Sequence, residues 1–170
     1  MENDDYSRKK IKISIIEDSA IHREWLKTEL SDHPVFEIVS IDTFGCTGID
    51  AAKTYNTDLV VLDFQLGDIT GLEVAKRIKA HNKKTKIFIL TAHAEISIIE
   101  RLISDKNIDA IAIKGSHFFE KDLLSAIRHV NEGGAYLDPS LLNKIRESKN
   151  LQGLSNLTKR EFEIFIQTSI

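Results

Sequence analysis

The sequence predicts an α/β fold: a five-stranded parallel sheet, doubly wound, with a helical tail at its C-terminal end. Two observations predict it. Five short, nearly continuous apolar runs, most of them β-branched, recur at Ile11–Ile16, Val35–Ile41, Leu59–Leu62, Ile87–Leu90 and Ile108–Ile113. Segments with apolar residues at helical spacing lie between them. Continuous apolar runs suit strands covered on both faces, and regular strand–helix alternation builds a parallel sheet with helices on either side.

Each element has its own local signal. Ile21, Trp25 and Leu30 mark the first helix, which His33-Pro34 closes, because proline lacks an N–H and disfavours helix at the residue before it. Ile49, Ala52 and Tyr55 carry the weakest helical pattern. Leu72, Ala75 and Ile78 mark the third helix, with Gly71 at its start. The stretch from Glu95 to Asp105 holds more apolar surface (Ile96, Ile98, Ile99, Leu102, Ile103) than one buried stripe needs. It is either fully buried or part of a partner face. Phe119, Leu123, Ala126, Ile127 and Val130 follow the i, i+4, i+7, i+8, i+11 pattern of the fifth helix.

The composition narrows the function classes. At 170 residues, the chain suits one full domain plus a remainder. Apolar residues make up 42% and charged residues 29%, a globular rather than a disordered composition. The single cysteine, Cys46, excludes a disulfide framework. No apolar run approaches the ~20 residues of a membrane span, and a cytoplasmic location is expected. A net charge of −3 gives no case for nucleic-acid binding by the bulk of the chain.

Ligands of such sheets sit at the carboxyl ends of the strands. The first strand ends in Glu17-Asp18, the third in Asp63, the fourth in Thr91 and the fifth in Lys114. Taken singly, each has a commonplace reading as a loop start, a cap or a surface charge. Together they converge on one edge. Three carboxylates in one small site raise each other's pKa unless a cation intervenes. An all-oxygen ligand set calls for a hard ion, and Mg²⁺ fits. A carboxylate nucleophile, Mg²⁺, the Lys114 ammonium and the Thr91 hydroxyl together describe a site that forms an aspartyl phosphate.

The run Asp58-Leu-Val-Val-Leu-Asp63-Phe-Gln-Leu-Gly-Asp68-Ile-Thr-Gly71-Leu-Glu-Val-Ala resembles the phosphoacceptor segment of bacterial response-regulator receiver domains. So do Ile15-Ile-Glu17-Asp18, Ile89-Leu-Thr91-Ala92 and Ile113-Lys114. The resemblance covers residues 10–131 and implies a flavodoxin-like fold. It implies that Asp63 accepts a phosphoryl group from a sensor histidine kinase. Glu17, Asp18 and Asp63 would hold Mg²⁺, with the backbone carbonyl of Gln65. Lys114 would pair with Asp63 or its phosphoryl group, and Thr91 would move to bond a phosphoryl oxygen. The protein would be a switch rather than a turnover enzyme. The alternative class is a receiver-like interaction module that dimerises without phosphate.

The chain departs from the family pattern at several positions. Ile111 stands where relatives carry an aromatic residue that changes rotamer with the threonine. Gly67 replaces a common proline, and Gly115 follows Lys114 where many relatives have proline. His93, two residues after Thr91, is a possible modulator of phosphoryl lifetime. Two other phosphoryl-transfer families fit less well. A haloacid-dehalogenase-like phosphatase normally has a second aspartate where Gln65 stands, and the sequence lacks a P-loop.

The receiver is expected over residues 11–132, after a disordered segment at 1–10. Residues 133–156 read as a linker with a short helix opened by Asp138-Pro139 and carried by Leu141, Leu142 and Ile145. Thr158-Lys-Arg-Glu161 forms a capping box that opens a further amphipathic helix over 157–170. Gly133 to Pro139 and Leu157 to Ile164 resemble the linker and first helix of a LuxR/NarL-type helix-turn-helix domain. Such a domain needs roughly 60 residues, so DNA would be read only through its missing part, and homodimerisation is expected on activation.

Overall fold

The computed structural model describes residues 9–152, with 117–121 and 149–152 as backbone alone. In chain order the elements are β1 (Ile11–Ile16), α1 (Ala20–Ser31), β2 (Phe36–Asp42), α2 (Gly45–Thr54), β3 (Leu59–Asp63), α3 (Gly71–His81), β4 (Lys86–Thr91), α4 (Ile96–Ile103), β5 (Ala110–Ile113), α5 (His117–Asn131), β6 (Tyr136–Leu137) and α6 (Pro139–Gln152). The strands pair in the order β2-β1-β3-β4-β5-β6, every pair parallel. The chain reverses direction of travel across the sheet at β1, so a crevice opens between the carboxyl ends of β1 and β3.

Side-chain alternation divides the core in two. Val60 and Leu62 of β3 and Ile87 and Ile89 of β4 face a layer that includes Ile49, Val74, Ile78, Ile99 and Leu102. Leu59, Val61, Phe88 and Leu90 face the other way, onto Leu26, Leu30, Leu123, Ile127 and Val130. This explains the continuous apolar runs, since both faces of β3 are fully covered.

Local chemistry sets the helix ends. Thr70 caps α3, its hydroxyl accepting from the Glu73 amide at 3.3 Å, and Glu73 pairs one turn on with Arg77 at 2.7 Å. After α5 the chain turns at Gly133, whose φ of +102° is the left-handed conformation that favours glycine. The Gly134 amide then bonds the His129 carbonyl at 3.0 Å.

One count differs from expectation. The sheet has six strands, not five, because Tyr136-Leu137 adds beside β5, pairing with Ala110 and Ile111. Within the segment expected as a linker with a short helix over 133–156, the helix opened by Asp138-Pro139 is α6. Leu137, Leu141 and Ile145 are buried in the same core layer as Ile99, Leu102 and Ile111. Two residues are too short a run to register as a strand, and Glu147 of α6 is exposed. On α4, Ile99 and Leu102 are buried, Ile98 and Ile103 pack half-buried against the same layer, and α6 contacts this helix, while Ile96 stays half-exposed. The N-terminal segment up to Arg8, and the capping-box helix over 157–170, lie outside the described residues.

Candidate functional site

Two segments at the carboxyl edge, the loop between β1 and α1 and the end of β3, bring the acidic residues together. Ligand oxygens of Glu17, Asp18 and Asp63 all lie within 4.8 Å of one another. Glu17 is fully buried and Asp63 nearly so, while Asp18 is exposed at the mouth. Lys114 reaches across from the end of β5. Its Nζ lies 2.7 Å from Asp63 Oδ2, 2.9 Å from Glu17 Oε1 and 2.8 Å from Glu17 Oε2. Burial is the main influence on Glu17 and lifts its carboxyl above the ordinary glutamate range; Lys114 opposes the rise and Asp63 adds to it. The Ser19 amide donates to Glu17 Oε1 at 3.1 Å. Glu17 Oε2 is buried and makes no well-directed hydrogen bond. A buried carboxylate oxygen left in this condition, beside two further carboxylates, fits a hard divalent cation such as Mg²⁺.

The β3–α3 loop presents Asp63. The Phe64 amide continues the β4 ladder to Leu90 O at 3.1 Å, which fixes the strand end. The Gln65 amide donates to Asp63 Oδ1 at 3.2 Å, and Gln65 and Thr70 form an antiparallel bridge that closes the loop. Gly71 packs against this turn. A Cβ there would stand 2.6 Å from the Asp63 carbonyl oxygen, so only glycine lets α3 start so close to the end of β3. A cavity of about 420 Å³ opens beside the acids, lined by Asp18, Gln65, Leu66, Asp68, Ile69 and Thr70.

The remaining expected residues divide into those that approach the site and those that do not. Thr91 is buried at the end of β4, its hydroxyl accepting from the His93 amide at 2.9 Å. The imidazole of His93 turns aside: Nδ1 lies 3.4 Å from Glu95 Oε2, and the ring sits edge-on to Phe64 at 6.3 Å. Ile111 is buried in β5 between Ile89 and Leu137, in the layer that α6 covers.

Two residues beside the site make contacts that motifs do not reveal. Arg23 lies on α1, and Asp68 in the β3–α3 loop. Asp68 Oδ1 accepts from the Gly45 amide at 2.8 Å and Oδ2 from the Cys46 amide at 2.9 Å. It therefore caps the start of α2 from across the site, where Phe44 has no capping side chain of its own. What desolvation Asp68 undergoes raises its pKa, but the amides of Cys46, Gly45 and Ile69 outweigh this and hold it at about 2. A depressed carboxylate stabilises the fold above its unfolded value and loses that contribution as the pH falls through its folded one. Asp68→Ala is expected to cost about 1 kcal/mol in urea unfolding at pH 7, the usual worth of an N-cap. The deficit should shrink as the pH falls towards 2, where wild-type Asp68 itself gains a proton. An undiminished deficit at that pH would count against the capping role.

A carboxylate trio closed by a lysine, at the carboxyl edge of a doubly wound parallel sheet, defines the class: a receiver-type α/β signalling domain. Residues 13–128 match the response regulator receiver domain family, and the chain belongs to it. Among curated proteins, it is 27% identical over 157 residues to the transcriptional regulatory protein DegU of Brevibacillus brevis, covering 88% of this chain and 62% of DegU. It is likewise 27% identical over 158 residues to the response regulator protein VraR of Staphylococcus aureus (strain NCTC 8325 / PS 47), covering 92% of this chain and 74% of VraR. Solved structures agree on the fold. A LuxR-family two-component response regulator from Aurantimonas sp. SI85-9A1 superposes with a TM-score of 0.75 at 20% identity, over 84% of this chain and 99% of that one. A LuxR-family DNA-binding response regulator from Staphylococcus aureus gives 0.64 at 26% identity, over 71% and 98%. Receiver domains of this family serve two-component signalling and bind Mg²⁺ at an acidic pocket. No helix among the described residues is long and apolar enough to cross a membrane.

Proposed function

We propose that this chain is a phosphorylation-controlled response regulator and that Asp63 is its phosphoacceptor. One observation carries the reading. Lys114 holds the Asp63 carboxylate at 2.7 Å while carboxylate oxygens of Glu17, Asp18 and Asp63 lie within 4.8 Å of one another, a spacing one ion can bridge. In the reaction, an Asp63 oxygen attacks the phosphorus of a phosphohistidine on a sensor kinase. The O–P bond forms, the P–N bond breaks, and the histidine leaves with the electron pair. Glu17, Asp18 and Asp63, with the Gln65 carbonyl, are the residues that would hold Mg²⁺. The ion supplies charge neutralisation on the phosphoryl oxygens. Lys114 then passes from the carboxylate to the new phosphoryl group, and the Thr91 hydroxyl exchanges the His93 amide for a phosphoryl oxygen.

Phosphorylation adds nearly two negative charges at this edge, and the output is a change in how the domain meets a second copy or a DNA-binding domain. Transcription regulation is proposed on the likeness to the transcriptional regulatory protein DegU, and homodimerisation as the remote output of the phosphorylated site. Incubation with Mg²⁺ and acetyl phosphate is expected to add the mass of one phosphoryl group, and Asp63→Asn should abolish the gain. No gain in the wild-type chain would favour a phosphate-independent dimerisation module instead.

A further inference from the structure

The two acids that precede α1 sit on a loop of three residues, Glu17 to Ser19, which has no secondary structure to hold it. One side chain grips it. A single guanidinium nitrogen of Arg23, Nη1, lies 2.8 Å from the Glu17 carbonyl oxygen and 2.7 Å from the Asp18 carbonyl oxygen. That nitrogen carries two hydrogens, one for each acceptor. Both distances are in the range of charge-assisted bonds. The Arg23 backbone amide closes the same turn, donating to Ser19 O at 2.9 Å. Two successive peptide planes are thereby fixed from one point, and with them the directions in which the Glu17 and Asp18 side chains leave the backbone.

The choice of acceptor matters chemically. Arg23 bonds the carbonyl oxygens of Glu17 and Asp18, whereas it is Lys114 that pairs with the Glu17 carboxylate. Arg23 brings positive charge to the loop without occupying a ligand oxygen. Lys114, in contrast, competes directly for Glu17 and Asp63. A loop carrying adjacent carboxylates opposite a third is under mutual repulsion, and a cation bound to its backbone side lowers that repulsion while leaving the ligand side open.

We propose that Arg23 is the positioning residue of the acidic pair and sets the affinity of the site for divalent cations. The inference rests on the Mg²⁺ reading above. Outer-shell groups that orient metal ligands commonly govern affinity by about 10- to 100-fold, and a clamp on the ligands' own peptide planes orients them in the same way.

The test is a Mg²⁺ titration of the intact chain, followed by the amide resonances of Glu17, Asp18 and Asp63, with acetyl-phosphate labelling as a second readout. Arg23→Ala is expected to weaken Mg²⁺ binding about ten-fold. It should raise the Mg²⁺ concentration for half-maximal labelling by the same factor and leave the rate at saturating Mg²⁺ unchanged. Arg23→Lys should recover most of the affinity, because an ammonium can also reach two carbonyls. Arg23→Gln, which donates without charge, should fall between. Unchanged affinity in Arg23→Ala, or a labelling rate that stays low at saturating Mg²⁺, would overturn the proposal. Equal loss in Arg23→Lys and Arg23→Ala would do the same. A wild-type chain that binds no Mg²⁺ would remove the metal reading itself, a result distinct from a variant that matches a binding wild type.

Discussion

Lys114→Met should destabilise the protein by about 3–5 kcal/mol at pH 7 without divalent ions, the range seen when one partner of a buried charge cluster is removed. Lys114 is 8% exposed and contacts two carboxylates that are themselves 1% and 8% exposed. Methionine fills the aliphatic path of the lysine but leaves Glu17 and Asp63 facing each other with no cation between them. The pH dependence has a definite sign. Burial already raises Glu17, and without Lys114 the chief opposing influence is gone. An acid with a raised folded pKa favours the folded state in its protonated form, and that contribution is lost as the pH rises. The variant should therefore recover relative to wild type as the pH is lowered below neutrality, and recover again on adding Mg²⁺. Urea unfolding at pH 7 and pH 5, with and without Mg²⁺, measures all of this. A variant as stable as wild type at pH 7 would show that the carboxylates do not depend on Lys114.

Asp138→Ala should be nearly as damaging, at about 2–4 kcal/mol, from a lost N-cap plus buried donors left without an acceptor. Asp138 is fully buried. Its Oδ1 accepts from the Ser140 amide at 2.9 Å and the Ser140 hydroxyl at 2.7 Å, capping α6. Its Oδ2 accepts from the Ile113 amide at 3.2 Å and from the Ser116 hydroxyl. The loss should be visible locally as faster hydrogen exchange across α6 and β6, with α1 and β1 little changed. A uniform increase across the domain would mean that α6 has no separate unit of stability.

The sequence revealed most of the sheet because β3 and β4 are covered on both faces, which leaves an unmistakable apolar run. The acids, Thr91 and Lys114 were legible because each stands at the end of such a run. β6 was not legible, since its two residues carry no periodicity. The fate of the α4 surplus was equally hidden. Helical spacing shows how much apolar surface a segment has, but α6, some forty residues away in sequence, decides what covers it. Arg23 and Asp68 escaped for a related reason: their partners are backbone atoms, which have no sequence identity. Ile111 stands out in the sequence because it occupies the family's aromatic position. In the fold it faces Leu137 across the β5–β6 pair.

The extent of the folded unit follows from β6 and α6. The family match ends at residue 128, yet cutting the chain there would strip Leu137, Leu141 and Ile145 from Ile99, Leu102 and Ile111. A fragment so trimmed would carry a bare greasy strip along its last long strand and an amide at Ile113 with nothing to bond. It would self-associate, and its apparent oligomers would report the scissors rather than the signal. Dissection of this protein should keep the chain through at least Ser148.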